Sequence, residues 1–316
     1  MAVLRLGTGG SAVALAQAEW AAQRLRAGGV PVSIVVVRTD GDACTEIGVF
    51  RSALRDALLA GAVDVAVHSC KDLPTAPDPR LVLAAVPQRA DPRDALVARG
   101  GMVLGELPAG AVLGTGSPRR GAQLRALGLG LHVQPIRGDV ESRIRRVVDG
   151  ELDGVVIAAA GLARLGRIGE ATELLDPLQM LPAPGQGALA CECRAGDLDT
   201  EHLLGAFLDD AGVRAAVTAE RALLAALAAG CTAPVGALAD VVEDLDDDGR
   251  VVLRLSLRGV AATADDRVFR SSATGELTDA ENLGRGVAAE LLDLGGGALG
   301  AGPGIARSGS RPMGNE

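Results

Sequence analysis

Short apolar segments that end in polar, glycine-rich or proline-rich turns recur along the 316-residue chain. The clearest is VDVAVHSCKDLP, residues 63–74, in which three closely spaced valines precede a loop that contains His68, Lys71 and Asp72. β-Branched residues at this spacing are typical of a buried strand, and Pro74 marks its end. Because open parallel sheets bind ligands at the carboxyl ends of their strands, Asp72 is a candidate site residue. The alternative is that Asp72 caps the next turn or pairs with Lys71.

Strand-like and helix-like segments alternate up to about residue 211, which is typical of an α/β fold. Predicted strands cover residues 3–6, 32–37, 63–67, 81–86, 133–136 and 155–160, with helices at 12–26 and 49–60 and a crossing between domains near 91–98. The later part predicts a helix at 213–229, strands near 235–242, 250–259 and 267–273, and a helix at 280–294. The sequence therefore predicts two α/β domains followed by a smaller α+β domain.

Two similar glycine turns follow predicted strands, GTGGS at residues 7–11 and GTGS at residues 114–117. Each leads into a predicted helix, so the repeat predicts two related α/β domains that face each other across a cleft. Ser11 stands where an N-cap is expected, and the free N–H groups of the first helical turn can bind an anion. A plain N-cap without a ligand is the alternative.

Arginines follow three successive predicted strands of the second α/β domain. They are Arg119 and Arg120 in the opening turn of a helix, Arg137 and Arg143 at the next strand-to-helix junction, and Arg164 and Arg167 after that. Cations at a helix N-terminus oppose the helix dipole, so the first pair indicates a bound anion, with solvated arginines as the alternative. Because guanidinium groups bind carboxylates bidentately, we expect a ligand with several carboxylates or phosphates.

Composition narrows the class of partner. A net charge of -9, a pI near 5.0 and the supply of aromatic residues, with one Trp, three Phe and no Tyr, argue against nucleic acid and favour a small molecule. No Walker lysine motif, HExxH or GxSxG sequence occurs, which disfavours nucleotide, zinc-protease and serine-hydrolase functions. The sequence shows neither a membrane span nor the features of a signal peptide, and a cytoplasmic location is expected.

The cysteines give no sign of a disulfide framework. Five are present, without a CxxC pair and with irregular spacing, which favours a reducing compartment. Cys191 and Cys193 lie on one face of a predicted strand, where packing is expected, and we expect no metal site. Cys231 follows a predicted helix, whose C-terminus raises the pKa of a thiol. The residues alone therefore favour an inert Cys231 over a functional one.

Five motifs occur along the chain in the order HSCKD, GTGSPRR, RGDVESR, PAPGQGALACEC and GCTAPVG. Together they resemble the porphobilinogen deaminase (hydroxymethylbilane synthase) family over about residues 1–295. The resemblance implies two periplasmic-binding-protein-like α/β domains, residues 1–92 with 190–211 and residues 93–189, and an α+β domain at residues 212–294. Residues 295–316 are expected to be disordered, because they are rich in Gly and Pro. The implied reaction joins four porphobilinogen molecules head to tail, with loss of ammonia, into linear hydroxymethylbilane for haem biosynthesis.

The resemblance also implies a role for each candidate residue. Cys231 would carry a dipyrromethane cofactor through a thioether bond, and Asp72 would be the catalytic acid. The residues expected to bind the cofactor are Ser11, Ser117, Arg119, Arg120 and Arg143, and those expected to bind the substrate porphobilinogen are Arg137, Arg143 and Arg164. Each substrate brings two carboxylates, which agrees with the arginines, and a buried carboxylate stabilises the electron-poor species formed during condensation. The resemblance favours a monomer, and the expected location is the cytoplasm.

Two departures from the family pattern lie near the expected site. Gly9 and Gly10 precede Ser11, where the family has a basic residue, and residues 42–48 form a short lid segment without the family's lysine. They predict slower turnover than in a typical member and suit a divergent second copy. Two alternatives are a non-catalytic protein that binds a polycarboxylate pyrrole and a paralogue that assembles the cofactor but stalls in elongation.

Overall fold

The computed structural model describes residues 3–38, 47–227, 234–246, 248–263 and 266–295, with the backbone alone at residues 47–52. In these ranges the strands are β1 (Leu4–Thr8), β2 (Val32–Val36), β3 (Val65–Ser69), β4 (Leu81–Ala85), β5 (Asp94–Ala98), β6 (Val112–Thr115), β7 (His132–Pro135), β8 (Gly154–Ala158), β9 (Glu173–Leu174), β10 (Leu189–Arg194), β11 (Val235–Leu245), β12 (Val251–Ala262) and β13 (Val268–Glu276). The helices are α1 (Ala12–Ala27), α2 (Ile47–Leu59), α3 (Pro118–Ala126), α4 (Val140–Val148), α5 (Ala159–Arg164), α6 (Leu198–Leu208), α7 (Ala211–Ala226) and α8 (Ala280–Gly295).

Two five-stranded sheets share one strand arrangement. The first has the order β2-β1-β3-β10-β4 and the second β7-β6-β8-β5-β9. In each sheet three parallel strands are followed by one strand that runs antiparallel to both of its neighbours, β10 in the first and β5 in the second. Because the carboxyl ends of parallel strands lie at one edge, each sheet delivers its strand-to-helix turns to one side.

Strand β3 is buried on both faces, which explains its continuous apolar sequence. Val65 and Val67 pack in the same cluster as Leu25 of α1. Ala66, which points to the opposite face, packs with Leu58 of α2. A strand covered by helices on both sides reads as an unbroken apolar run instead of an alternating one. The loop that carries Asp72 therefore follows a rigid central strand.

A third unit contains the antiparallel sheet β11-β12-β13, with α7 and α8 packed on one face. Leu255 and Leu257 of β12 are fully buried beneath Leu223 of α7 and Leu291 of α8. The three units confirm the predicted division into two α/β domains and a C-terminal α+β domain.

One carboxylate connects the third unit to both crossovers between the sheets, residues 86–93 and residues 175–188. Glu220 of α7 is fully buried and accepts hydrogen bonds from Nη1 and Nη2 of Arg89, at 2.6 and 3.0 Å. It also accepts from the amide of Gly185, at 2.6 Å, and from that of Ala239, at 2.9 Å. Such a buried charge is stable only with full hydrogen bonding, which these four donors supply.

Several element boundaries differ from the sequence prediction. The strand predicted at 155–160 ends at Ala158, and α5 begins at once, because the run AAAGLA continues the apolar pattern while favouring a helix. Helix α7 begins at Ala211, earlier than predicted, because the side chain of Asp210 caps it. The predicted domain boundaries stay a prediction, and residues 296–316 lie outside the described ranges.

Candidate active site

Asp72 lies in a 3-10 turn, Cys70–Asp72, that directly follows β3. We call residues 70–74 the Asp72 loop. Cys70 is buried and its amide donates to the carbonyl oxygen of Ala188, at 3.0 Å. Asp72 itself is half-buried. A strand end with one partly accessible carboxylate suits a group that must both reach a ligand and be shielded from bulk water.

Gly185 packs directly against the Asp72 loop. Its φ is +73°, and a Cβ at this position would lie 3.2 Å from Sγ of Cys70 and 3.2 Å from the amide nitrogen of Lys71. Both the left-handed backbone and the close approach therefore require glycine here. The GQG motif thus brings the second crossover against the loop that carries Asp72.

Lys71 was not among the predicted site residues, although it stands next to Asp72. Burial lowers the pKa of its ammonium group to about 8; Asp72 acts in the opposite direction, and Arg120 lowers the pKa further. These influences place the Asp72 loop of the first sheet within electrostatic range of the α3 N-terminus of the second sheet. The adjacent charged pair in HSCKD was the sequence signal for Lys71.

Two serines cap the helices that follow the glycine turns; the cap at Ser11 was predicted, and the one at Ser117 was not. Oγ of Ser11 accepts from the amide of Ala14, at 3.2 Å, and Oγ of Ser117 accepts from the amide of Arg120, at 3.4 Å. The caps confirm the predicted strand, turn and helix units at both positions. A role for either serine in binding a ligand stays a prediction.

Arg119 and Arg120 are buried and share a carboxylate within the protein. Nη1 of Arg119 donates to Oδ2 of Asp94, at 2.8 Å, while Nε and Nη2 of Arg120 donate to Oδ1, at 3.0 and 2.7 Å. Burial opposes ionisation of Asp94, but the two guanidinium groups outweigh it and hold its pKa well below the usual range. The sequence predicted that Arg119 and Arg120 bind an anion, and within the protein that anion is the carboxylate of Asp94. A ligand carboxylate would bind these arginines in addition to Asp94.

Gln186 completes the shell around Asp94. Its Nε2 donates to Oδ1 of Asp94 and to the carbonyl oxygen of Pro92, in each case at 2.8 Å or less. Because Gln186 belongs to the second crossover and Pro92 to the first, the same cluster joins both crossovers to α3. Arg89 pairs with Glu220 and also donates to the carbonyl oxygen of Gln186, and Gln186 in turn donates to Asp94. These contacts connect Glu220 with Asp94.

Three further arginines have no carboxylate partner among the described residues. Nε of Arg143 donates to the carbonyl of Gly138, and Nη2 of Arg164 donates to the carbonyl of Gly187, both at 2.8 Å. Arg137 is exposed. Burial lowers the pKa of Arg164 to about 10, and burial together with Arg120 also lowers that of Arg143. Burial disfavours the charged form of these arginines, and a bound anion would relieve that cost. An arginine already paired with a carboxylate has less to gain from binding an anion.

Behind β3, His68 and Arg55 bind one buried carboxylate. Nε2 of His68 lies 3.1 Å from Oε2 of Glu192, and Arg55 of α2 donates to both oxygens, at 3.0 and 2.7 Å. Burial raises the pKa of Glu192, but His68 and Arg55 outweigh it, so the net shift is downward. This cluster holds β3, β10 and α2 together.

The predicted residues are only partly brought together in the described structure. Asp72 and Arg120 both act electrostatically on Lys71, Arg120 also acts on Arg143, and Arg164 reaches the second crossover. Cys231 and residues 42–46 of the lid segment lie outside the described ranges, and only the backbone is described at residues 47 and 48. The sequence analysis did not identify four further residues of this region, because their partners are distant in sequence: Asp94, Gln186, Glu220 and Arg221. The only signal in the sequence was a charged or amide side chain beside an apolar run, in the stretches DPRDA, GQG and AER.

Within the described ranges, none of the helices has the length and apolar character of a membrane span. No group of three or more His, Cys, Asp or Glu side chains in the same part of the chain could hold a metal ion.

Comparison with known proteins gives matches along almost the whole chain. The family model described as porphobilinogen deaminase, dipyromethane cofactor binding domain, matches residues 4–202, and the model described as porphobilinogen deaminase, C-terminal domain, matches residues 214–293. The porphobilinogen deaminase of Nocardia farcinica is 62% identical over 299 residues, 92% of this chain and 86% of that protein. That of Mycobacterium bovis is 57% identical over 300 residues, 93% of this chain and 97% of that protein.

Solved structures give more distant likenesses. A putative methionine-binding lipoprotein from Bacillus subtilis is 16% identical, with a TM-score of 0.41 over 67% of this chain and 91% of that chain. A periplasmic substrate-binding protein of an ABC transporter from Coxiella burnetii is 17% identical, with a TM-score of 0.40 over 65% of this chain and 92% of that chain. At these scores the two likenesses carry no argument.

Proposed function

We propose roles for the residues of the Asp72 site in this chain, which belongs to the porphobilinogen deaminase family. The chain is a transferase that joins four porphobilinogen molecules head to tail into linear hydroxymethylbilane and releases ammonia, in tetrapyrrole and haem biosynthesis. It works with a dipyrromethane cofactor. The observation that carries this conclusion is the match of both family models across residues 4–202 and 214–293. A non-catalytic binding protein and an elongation-impaired paralogue are not favoured, since relatives at 57% and 62% identity share the family name.

The cations without carboxylate partners fit a cofactor and substrate that carry acetate and propionate groups. Lys71, Arg143 and Arg164 are half-buried, and burial shifts the pKa of each downward, which an incoming carboxylate would reverse. Arg137, between β7 and α4, adds an exposed guanidinium group. We assign these four residues to carboxylate binding. The cofactor, when bound, supplies the nucleophilic pyrrole carbon to which the substrate is joined.

Arg119 and Arg120 have a different role, because Asp94 neutralises part of their charge. Their guanidinium groups are held in one geometry by Asp94 and, for Arg119, by the carbonyl of Leu181, at 2.6 Å. A held guanidinium loses little conformational entropy when a further carboxylate binds. We assign them, with the helix N-termini at Ser11 and Ser117, to the cofactor. Cys231, outside the described ranges, is assigned as the thioether anchor.

Asp72 is assigned as the catalytic acid. At the end of β3 its carboxyl group can give a proton to the departing amine of porphobilinogen and then, as a carboxylate, stabilise the cation that the substrate becomes. The same oxygen can accept the proton that the pyrrole loses after the new carbon–carbon bond forms.

The experiment is a steady-state assay of porphobilinogen consumption with Asp72→Asn and Asp72→Glu, beside Asp78→Asn as a control. Asp78 lies in the same segment but pairs with the exposed Arg80. We expect Asp72→Asn to lower kcat about 10²- to 10⁴-fold, Asp72→Glu to keep more activity, and Asp78→Asn to match the parent. A turnover of Asp72→Asn within a few-fold of the parent would remove Asp72 from the mechanism.

We also infer a monomer that works in the cytoplasm. Cys70, Cys191 and Cys193 are free buried thiols, which supports a reducing compartment. The monomer rests on the resemblance of the sequence motifs to the family. Slower turnover than in typical members stays a prediction, because the short lid segment lies outside the described ranges.

A further inference from the structure

Arg221 of α7 donates to three backbone carbonyls of the Asp72 loop. Its Nη2 lies 2.6 Å from the oxygen of Pro74, and its Nη1 lies 3.3 Å from that of Leu73 and 3.4 Å from that of Cys70. Within the described ranges no carboxylate pairs with Arg221. Because its planar fork meets three carbonyls of one short loop, this guanidinium holds that stretch of backbone in place.

The loop needs such donors, because a single 3-10 turn satisfies few of its own carbonyl groups. Inside the loop, the amide of Leu73 donates to the carbonyl of Cys70, at 3.1 Å. The carbonyls of Leu73 and Pro74 take their hydrogen bonds from Arg221. The rigid fork of the guanidinium fixes both at once, with Asp72 immediately before them in sequence.

The neighbouring residue of α7 supports a second contact with the same loop. Glu220 accepts from the amide of Gly185, at 2.6 Å, and Gly185 packs against Cys70 and the amide of Lys71. The loop is therefore contacted by both Arg221 and Gly185, and one turn of α7 supplies the first and holds the second. This second contact is independent of the first, since it runs through the second crossover.

We propose that Arg221 is a positioning residue that fixes Asp72 relative to α7, the helix that leads in sequence to Cys231. The third unit, which is assigned to anchor the cofactor, then helps to set the position of Asp72, together with the first sheet. This inference rests on the catalytic role that the proposed function gives to Asp72. Removing Arg221 should act mainly on kcat, because three of the four assigned carboxylate-binding residues, Arg137, Arg143 and Arg164, lie outside the Asp72 loop, while the acid moves away from the reacting atoms.

Arg214 offers a matched control on the same helix. It also donates to two backbone carbonyls, those of Leu83 at 3.0 Å and Ala84 at 2.9 Å, and it pairs with Asp209. Those carbonyls belong to β4, outside the Asp72 loop. Loss of Arg214 therefore removes a comparable link between α7 and the first sheet without touching Asp72.

The test compares the holoenzyme forms of the parent, Arg221→Gln, Arg221→Lys and Arg214→Gln. Each is measured for cofactor content by intact mass, for kcat and KM with porphobilinogen, and for amide hydrogen exchange of peptides that cover residues 66–75. A displacement of about 1 Å can cost about 100-fold in rate, so we expect Arg221→Gln to lower kcat by about 10- to 100-fold, with KM within about threefold of the parent. Arg221→Lys, which keeps the charge but not the fork, should recover part of the loss.

The exchange measurement separates this proposal from the proposed function. We expect faster exchange at Cys70 and Leu73 in Arg221→Gln and not in Arg214→Gln, whatever the activity of the parent. A parent without turnover but with this local exchange would overturn the proposed function and keep Arg221 as the residue that holds the loop. An Arg221→Gln variant with unchanged exchange and kcat, or with a loss matched by Arg214→Gln, would overturn the positioning role.

Discussion

Arg120 donates from both Nε and Nη2 to one oxygen of Asp94, at 3.0 and 2.7 Å, and both side chains are almost fully buried. Arg119 occupies the other oxygen, so one carboxylate holds two guanidinium groups at the N-terminus of α3. The local cost of placing cations at a helix N-terminus is thereby offset within the protein. Asp94 begins β5, the first strand of the second sheet, and its ionisation therefore connects the stability of that sheet with the geometry of the site.

Asp94→Asn should lower the free energy of unfolding by about 3–5 kcal/mol, because it leaves two buried guanidinium groups without a counter-ion. The matched control is Glu141→Gln, which removes an exposed pair with Arg145 on α4 and should cost less than about 1 kcal/mol. Urea unfolding of both variants checks the difference. Equal losses in the two variants would contradict the assignment of Asp94 as a buried counter-ion.

Binding of porphobilinogen should weaken above about pH 8 because Lys71 loses its charge there. Its pKa is lowered to about 8, so the side chain is an ammonium below that pH and neutral above it. If carboxylates bind the charged form, KM rises by about tenfold between pH 7 and pH 9. In Lys71→Arg the guanidinium stays charged over this range, and KM should be nearly constant.

The ratio of the two KM profiles is the informative quantity for Lys71, since the titration of the substrate itself affects both proteins equally. Parallel profiles for the parent and Lys71→Arg would show that another group causes any pH dependence.

Arg143→Gln should raise KM for porphobilinogen by about tenfold or more, because a charged hydrogen bond to a carboxylate contributes about 1.5–3 kcal/mol. Arg145, two residues further along α4, is exposed and paired with Glu141. Arg145→Gln is therefore the control, and its KM should match that of the parent. The same KM in both variants would place the carboxylate site away from Arg143.

Gly284→Ala should lower the apparent Tm, whereas Gly286→Ala in the same helix should leave it unchanged or raise it. A Cβ at position 284 would collide with the carbonyl of Ala219 and lie 2.7 Å from Cβ of Ala222, so α7 and α8 would have to separate. Gly286 has open space around it, and alanine there gains helix propensity of about 0.5–1 kcal/mol.

Calorimetry of the two glycine variants checks the packing of α7, on which Glu220 and Arg221 lie. If both alanines had the same effect on Tm, the close contact of α7 and α8 would be contradicted.

The sequence predicted what local chemistry determines. A short apolar run with a terminal proline predicted β3 and the loop after it, and Ser11 was recognised as a helix cap because it follows a glycine turn. The repeat of the two turns correctly indicated two related sheets, since each turn follows the same strand of the common order.

The partners of charged residues could not be predicted, because they depend on tertiary contacts. Arg119 and Arg120 were interpreted as evidence for a ligand, whereas the carboxylate that pairs with them, Asp94, lies 25 and 26 residues earlier. The carbonyls bound by Arg221 lie 147 to 151 residues away, so the AER stretch looked like an ordinary helix surface. Sequence distances of this size are bridged only when all three units have packed.

The most direct measurement is the intact mass of the purified chain beside its Cys231→Ala variant, each with and without added porphobilinogen. The account predicts a two-pyrrole adduct on the parent alone, followed by stepwise heavier adducts when substrate is added. It also predicts that Asp72→Asn keeps an anchoring Cys231 but gives far slower growth of those adducts. A parent that carries no adduct and gains none with substrate would contradict the synthase function and leave a protein that only binds carboxylates.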